Sequence, residues 1–379
     1  MTREAVGAAL RQQALVVSFD EPVELVSGGM LPRLDLALET YGSLDEDRSN
    51  AILVCHGMTG NQNVAGAPLP DGPPRPWWEA AVGPGRMIDT NRYFVMCANV
   101  PGGCAGSTGP ASIDPRTGRP FGMRFPGVTI ADMADAMARL LDRFDIDRLH
   151  AAIGGCMGGF QVLEFARRHP SRLSRAIAIS ATPNTSAYTI ALWEVMRQAI
   201  YADPAWNSGD YYDGPGPLTG LGLTAMIGSV LWLDRDTLAD KFGRRRAERP
   251  EGSVDPLQPD LPPEFAVQAF LARVRANASM RFDPNSLIYL TKAVDLFDLA
   301  DGYNDLAAGV AGMVGPVLLV SYEADWRYPR DEIARLAAAL EHNGTAVSHH
   351  HLTSHLGHGA FQFEVSALAP VVSRFLQAS

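Results

Sequence analysis

A large α/β domain whose sheet is interrupted by a mainly helical insertion is the fold class this sequence predicts, on three observations. Short continuous apolar runs, such as Ala51–Cys55 and Val317–Tyr322, suit strands buried on both faces. These runs alternate with segments of helical period, the pattern of a parallel sheet with crossover helices. The alternation stops near Thr182 and resumes at Val317, after a stretch that reads as helix and loop.

Taken in order, Leu15–Phe19 and Leu34–Tyr41 alternate or run apolar and suit early, antiparallel strands. Ala51–Cys55 and Tyr93–Ala98 follow as buried strands. Thr129 and Asp132 have capping-box spacing, and Ile130, Met133, Met137, Leu140, Leu141 and Phe144 then mark one helical face. Leu149–Gly154 reads as a strand, Phe160–Arg168 as a helix and Arg175–Ile179 as a further strand. Between Thr182 and Ala311 the pattern is helical, carries Trp193, Trp206 and Trp232, and includes a Pro-rich polar stretch from Arg249 to Glu264. After Val317–Tyr322 come a helix at Arg330–Glu341, a strand near Ala346–Leu352 and a last helix from about Phe361 to Leu376. The domain reading is therefore a core of 1–182 and 314–379, with 183–313 as a helical lid.

Composition agrees. A chain of 379 residues, 46% hydrophobic and 20% charged, suits a large globular core and excludes disordered, collagen-like and coiled-coil readings. The net charge of −10 argues against nucleic acid as a partner. The longest apolar stretch, Ala308–Val320, is broken by glycines and Pro316, so no membrane span is expected. Met1–Phe19 carries Glu4 and two glutamines and no apolar signal core, which points to a cytoplasmic protein. Four cysteines in a chain this long read as reduced thiols rather than a disulfide framework.

The chemistry centres on Gly154-Gly155-Cys156-Met157-Gly158-Gly159, between a strand and a helix. In a G-x-S-x-G turn the glycines allow a tight reversal that exposes a nucleophile at a helix N-terminus, and the next N–H can stabilise an oxyanion. Here Cys156 takes the nucleophile's place, with the Met157 N–H behind it. The competing reading is a packed thiol in a glycine-rich turn. An orienting acid and then a histidine are expected downstream. Glu323 and Asp325 follow one strand, and His355 and His358 follow another. Asp325 and His358 are the preferred pair, with Glu323 and His355 behind them. The loop after Ala51–Cys55, His56-Gly57-Met58, is placed to give the second oxyanion N–H, from Met58, with the His56 side chain structural. His349-His350-His351 cannot all ligate one ion from a strand, because neighbours point to opposite faces, so no metal is expected.

With these residues in view, the chain resembles the homoserine O-acetyltransferase family of α/β-hydrolase-fold acyltransferases over most of its length. The resemblance is carried by Trp77-Trp78, Gly83-Pro84-Gly85, Ile88–Phe94 and Gly102–Pro110. It continues through the Cys156 turn, Arg197–Ile200, Lys241–Arg244, Arg281-Phe282-Asp283 and Tyr289–Ala293. It implies acyl-CoA as co-substrate with no bound cofactor, a covalent acyl-enzyme, a small-molecule acceptor and a homodimer formed through the lid. Three departures stand out. The family's nucleophile is Ser where this chain has Cys156. The family's carboxylate-binding arginine falls at Ala225, and the aspartate that holds the substrate amino group falls at Gly359.

Without both charged partners, a buried amino-acid substrate would lose contacts of about 1.5–3 kcal/mol each. The expected activity is therefore transfer of an acyl group, through a Cys156 thioester, to an acceptor other than homoserine. An ester or thioester hydrolase on the same triad, a true homoserine O-acyltransferase with compensating contacts, and a catalytically silent binding protein are the alternatives.

Overall fold

The computed structural model describes residues 10–68, 75–248, 263–278 and 282–378. The first nine residues of the Met1–Phe19 segment, nearly all of the Pro-rich stretch 249–264, and Arg281 lie outside them. Eight strands form one sheet: β1 (Gln12–Phe19), β2 (Leu34–Tyr41), β3 (Ala51–Cys55), β4 (Phe94–Ala98), β5 (Ala151–Gly155), β6 (Ala176–Ile179), β7 (Val317–Tyr322) and β8 (Val347–Leu352). Their spatial order is β1-β2-β4-β3-β5-β6-β7-β8. Pairing is antiparallel at β1/β2 and β2/β4 and parallel from β4 onward. The five central strands β3 to β7 are buried along their whole length, which is why they read as unbroken apolar runs.

The crossover helices cover the sheet. Helix α1 (Ile130–Arg143) starts at the capping box expected from its sequence. The Thr129 hydroxyl accepts from the Asp132 N–H at 3.2 Å, and the Asp132 carboxylate accepts from the Thr129 N–H at 2.7 Å. Its other carboxylate oxygen accepts from the Val26 N–H at 2.7 Å, tying the helix start to the N-terminal segment. Ile130, Met133, Met137, Leu140 and Leu141 are buried, whereas Phe144 is already the C-cap. Helix α2 (Met157–Arg168) packs against α1 and β5, and begins three residues earlier than its apolar period indicates. Glycines at 158 and 159 hide that first turn from a hydrophobic pattern.

Between β6 and β7 the chain forms α3 (Ala187–Tyr201), α4 (Leu218–Trp232), α5 (Arg235–Phe242), α6 (Ala266–Ala276), α7 (Pro284–Asp295) and the short α8 (Leu306–Val310). Helix α9 (Arg330–His342) joins β7 to β8. The last helix breaks at Glu364 into α10 (Ala360–Phe363) and α11 (Val365–Gln377). The C-terminal ends of β3, β5, β6, β7 and β8 share one edge of the sheet, through the pairs Cys55–Gly154, Gly155–Ile179, Ile179–Val320 and Tyr322–Leu352. In a parallel sheet this is the edge at which loops gather into a site.

Candidate active site

Cys156 sits between β5 and α2 at φ 59° and ψ −129°, a backbone region that a non-glycine residue adopts only when its surroundings force it. The forcing comes from close packing. A Cβ at Gly158 would lie 2.1 Å from the Cys55 carbonyl oxygen, and one at Gly154 would lie 2.4 Å from the Gly158 carbonyl. The turn is thus pressed against the end of β3, and the His56-Gly57-Met58 loop lies beside it. A Cβ on Gly57 would stand 3.7 Å from that of Cys156. As the first residue of α2, Met157 has an N–H without an intrahelical acceptor, and the backbone bonds of the described residues engage no N–H of Met58. His56 is buried and neutral. Desolvation lowers its pKa to about 4, and its ring sits between the Gly57 carbonyl at 2.8 Å and the Val100 N–H at 3.2 Å, so it holds the loop.

His358 and Asp325, from the loops after β8 and β7, meet behind the thiol. The His358 Nδ1–H donates to the Asp325 carboxylate at 2.9 Å, and both side chains are fully buried. The other Asp325 oxygen accepts from the N–H groups of Arg327 and Tyr328 at 3.2 and 3.3 Å. These bonds keep the carboxylate charged: burial pushes its pKa up, but His358, Ser180 and Arg327 together bring it below the ordinary value. The competing acid and histidine are elsewhere. Glu323 and His355 are exposed. His349 and His351 flank the Ser321 hydroxyl at 2.9 Å each, and the described residues hold no group of three metal-ligating side chains.

The electrostatics favour an ion pair. Burial raises the Cys156 thiol, but His358 first, then Arg327 and the Tyr328 hydroxyl, outweigh it and bring the pKa down to about 6. Burial likewise opposes the charge on His358, and Asp325 and Cys156 overcome it, raising the pKa to about 9. The Tyr328 hydroxyl lies 3.6 Å from Sγ, within reach to donate to it. The His358 Nε2 has no hydrogen-bond partner by geometry, although the thiol and ring each shift the other. That atom is free to exchange a proton with a substrate. The other three thiols are opposite in character: burial pushes Cys55 and Cys104 up to about 12 and Cys97 well above its ordinary value.

Alkylation by a small reagent should therefore label Cys156 alone at pH 7. Its rate should rise as the thiol ionises, with a midpoint near 6 rather than near the ordinary value of about 8.5. Peptide mapping across a pH series checks both points, and a midpoint above 8 would contradict the ion pair.

Around this centre the structure adds residues that sequence reasoning did not single out. Trp232, at the end of α4, stands edge-on to His358 with ring centres 4.9 Å apart. A Cβ on Gly359 would fall 2.3 Å from its indole nitrogen, so Trp232 fills the space a Gly359 side chain would need. Ala225, about two turns earlier along α4, is half-buried against the core. Arg327 is 7% exposed and its guanidinium lies 4.8 Å from the Trp193 ring centre and 5.6 Å from that of Tyr328. A charge two residues after Asp325 reads in sequence as a solvated loop residue; it is the distant Trp193 of α3 that covers it.

A cysteine on a strained strand-to-helix turn, with a buried acid–histidine pair on later loops of the same sheet edge, is the arrangement of an α/β-hydrolase-type site. The model of the alpha/beta hydrolase fold family matches residues 50–364. Homoserine O-acetyltransferase of Geotalea uraniireducens is 42% identical over 361 residues, covering 95% of each chain. That of Geobacter sulfurreducens is 42% identical over 360 residues, covering 95% of this chain and 96% of its own. Among solved structures, homoserine O-acetyltransferase from Bacillus anthracis superposes at TM-score 0.87 with 26% identity, covering 98% and 99% of the two chains. An esterase superposes at 0.86 with 27% identity, covering 97% and 100%. The chain belongs to the homoserine O-acetyltransferase family, acyltransferases built on the α/β-hydrolase fold.

Proposed function

We propose that this enzyme moves an acyl group from acyl-CoA to a small hydroxyl-bearing acceptor by way of Cys156. The observation that carries the reading is the buried His358–Asp325 pair beside a Cys156 whose neighbours favour the thiolate. The thiolate attacks the thioester carbonyl, and the N–H groups of Met58 and Met157 receive the oxyanion. The bond to CoA sulfur breaks, His358 gives its Nε2 proton to the departing thiolate, and a Cys156 thioester remains. The acceptor hydroxyl then loses its proton to His358 and attacks that thioester, releasing the product ester and restoring the ion pair. Exchange of one thioester for another is near thermoneutral, so the intermediate keeps its acyl-transfer potential.

Homoserine is the acceptor this reading favours, because relatives 42% identical over 95% of the chain bear that name. The expectation of a different acceptor rests on Ala225 and Gly359 alone and finds no support among the relatives. With acetyl-CoA and homoserine, the product should be the O-acetyl amino acid, formed at a rate that depends on acceptor concentration. Free acetate released at a rate indifferent to homoserine would instead establish hydrolysis, the second reading, which the likeness to an esterase favours. A buried cysteine on a strained turn, with neighbours that favour its thiolate, argues against a silent binding protein.

We also infer a homodimer through the helical insertion. Helix α4 has no charged residue, yet Leu218, Leu223 and Val230 are 40–45% exposed along it. A helix apolar all round is stable only when covered. Sedimentation equilibrium should give twice the chain mass, and a monomer at micromolar concentration would sink the idea. No helix among the described residues is long and apolar enough to cross a membrane. The free cysteines fit a reducing, cytoplasmic setting.

A further inference from the structure

We infer that Arg327 is the residue that receives a substrate carboxylate, so that the cation lacking at Ala225 is supplied from the loop that carries Asp325. The inference rests on the acyl-transfer reading of the Cys156 site. Three observations point to it. The Arg327 side chain is more than nine-tenths buried, its Nε has no hydrogen-bond partner, and the described residues give its guanidinium no ion pair. A buried cation is retained only when something offsets its desolvation, and here the guanidinium lies on aromatic faces, Trp193 and Tyr328, with no carboxylate of the described residues in ion-pair contact. Trp193 Nε1 is also buried without an acceptor. Two unpaired donor groups, one on α3 and one after β7, thus lie close to each other without acceptor oxygens.

The geometry suits a carboxylate rather than a neutral group. A guanidinium presents parallel donors that match a carboxylate's two oxygens, and its charge is little screened in an enclosed site. Arg327 lies over the ring of Tyr328, whose hydroxyl is 3.6 Å from the Cys156 Sγ, so an anion held on it would be on the substrate side of the nucleophile. Two substrates could bring that anion: the α-carboxylate of an amino-acid acceptor, or the free end of a dicarboxylic acyl group on the donor. Both are met by the same residue, and the same experiment separates them.

The test compares wild type, Arg327→Met and Arg327→Lys on two arms. One arm sets homoserine against its carboxamide with acetyl-CoA as donor; the other sets succinyl-CoA against acetyl-CoA with a fixed acceptor. On one arm, wild type should prefer the carboxylate in kcat/KM by roughly 10–100-fold. Arg327→Met should bring that ratio near one, mainly through KM, and Arg327→Lys should keep part of it. The variant removes an unpaired buried charge, so it should fold, and a melting curve checks this. If Arg327 acts only on the thiol, the alkylation midpoint will rise and both substrates will slow alike, with the ratio kept on both arms; that result overturns the assignment. Protection of Cys156 from iodoacetamide by homoserine over its carboxamide, in wild type but not in Arg327→Met, reads the same site without turnover. It therefore tests the carboxylate assignment even if no acyl-enzyme forms.

Discussion

Replacing His358 with alanine should lower acyl transfer by about 10⁶-fold, the effect of losing the histidine of a triad that works as a unit. Two losses combine. The Nε2 proton that leaves with CoA, and is recovered from the acceptor, has no other carrier, and general acid–base catalysis alone is worth about 10²–10⁴-fold. The second loss is electrostatic. His358 is the largest attraction holding the buried thiol down to about 6, and without it burial takes over. Thiolate at pH 7 then becomes a minor species, so even the first nucleophilic attack slows. The alkylation midpoint should accordingly rise well above 8. Removing the ring also leaves the buried Asp325 carboxylate without its charged partner, which destabilises the fold. His358→Gln keeps volume and can retain the bond to Asp325, so it separates the catalytic loss from the structural one. A His358→Ala enzyme within tenfold of wild type, with an unmoved thiol, would contradict the assigned roles.

Gly158→Ala should be the most damaging single methyl in the site. The added carbon would meet the Cys55 carbonyl oxygen at 2.1 Å and its carbonyl carbon at 2.8 Å, with the His56 carbonyl oxygen at 3.1 Å. All three are backbone atoms at the end of β3, so no side chain can rotate away and either strand or helix must shift. Overpacking of this kind costs about 3 kcal/mol or more, roughly 5 °C or more in Tm. Activity should fall further than stability, because the same shift moves Cys156 away from His358 and the Met58 loop. Gly127→Ala is the control. It would meet nothing nearer than the Ser27 hydroxyl at 4.0 Å and should melt like wild type. Equal melting of the two variants would show that the elbow tolerates relaxation that the packing does not suggest.

What was legible in the sequence follows from local physics. Thr129 and Asp132 announce their helix because a capping box is a four-residue event. Ala51–Cys55 and Val317–Tyr322 announce central strands because burial on both faces leaves no polar position. Cys156, Asp325 and His358 could be chosen because each follows a recognisable strand, and the shared sheet edge brings them together. The choice of Asp325 over Glu323 and of His358 over His355 is reflected in burial: the chosen pair is enclosed, the others exposed. What lay hidden depends on contacts between distant segments. The indole of Trp232 occupies the space beside Gly359, and Trp193 buries Arg327; neither contact leaves a mark in residue spacing. Reading Ala225 and Gly359 as a dismantled clamp considered only those two positions, whereas Trp232 fills the space beside Gly359 and a buried cation, Arg327, stands on another element.

The central claim is that Cys156 carries the acyl group, and intact-protein mass after brief exposure to acetyl-CoA tests it most directly. Wild type should gain the mass of one acetyl group, located by peptide mapping on Cys156 and lost again on adding homoserine. Cys156→Ala should gain nothing. An acetyl group that persists in Cys156→Ala, or turnover by that variant near the wild-type rate, would contradict the account.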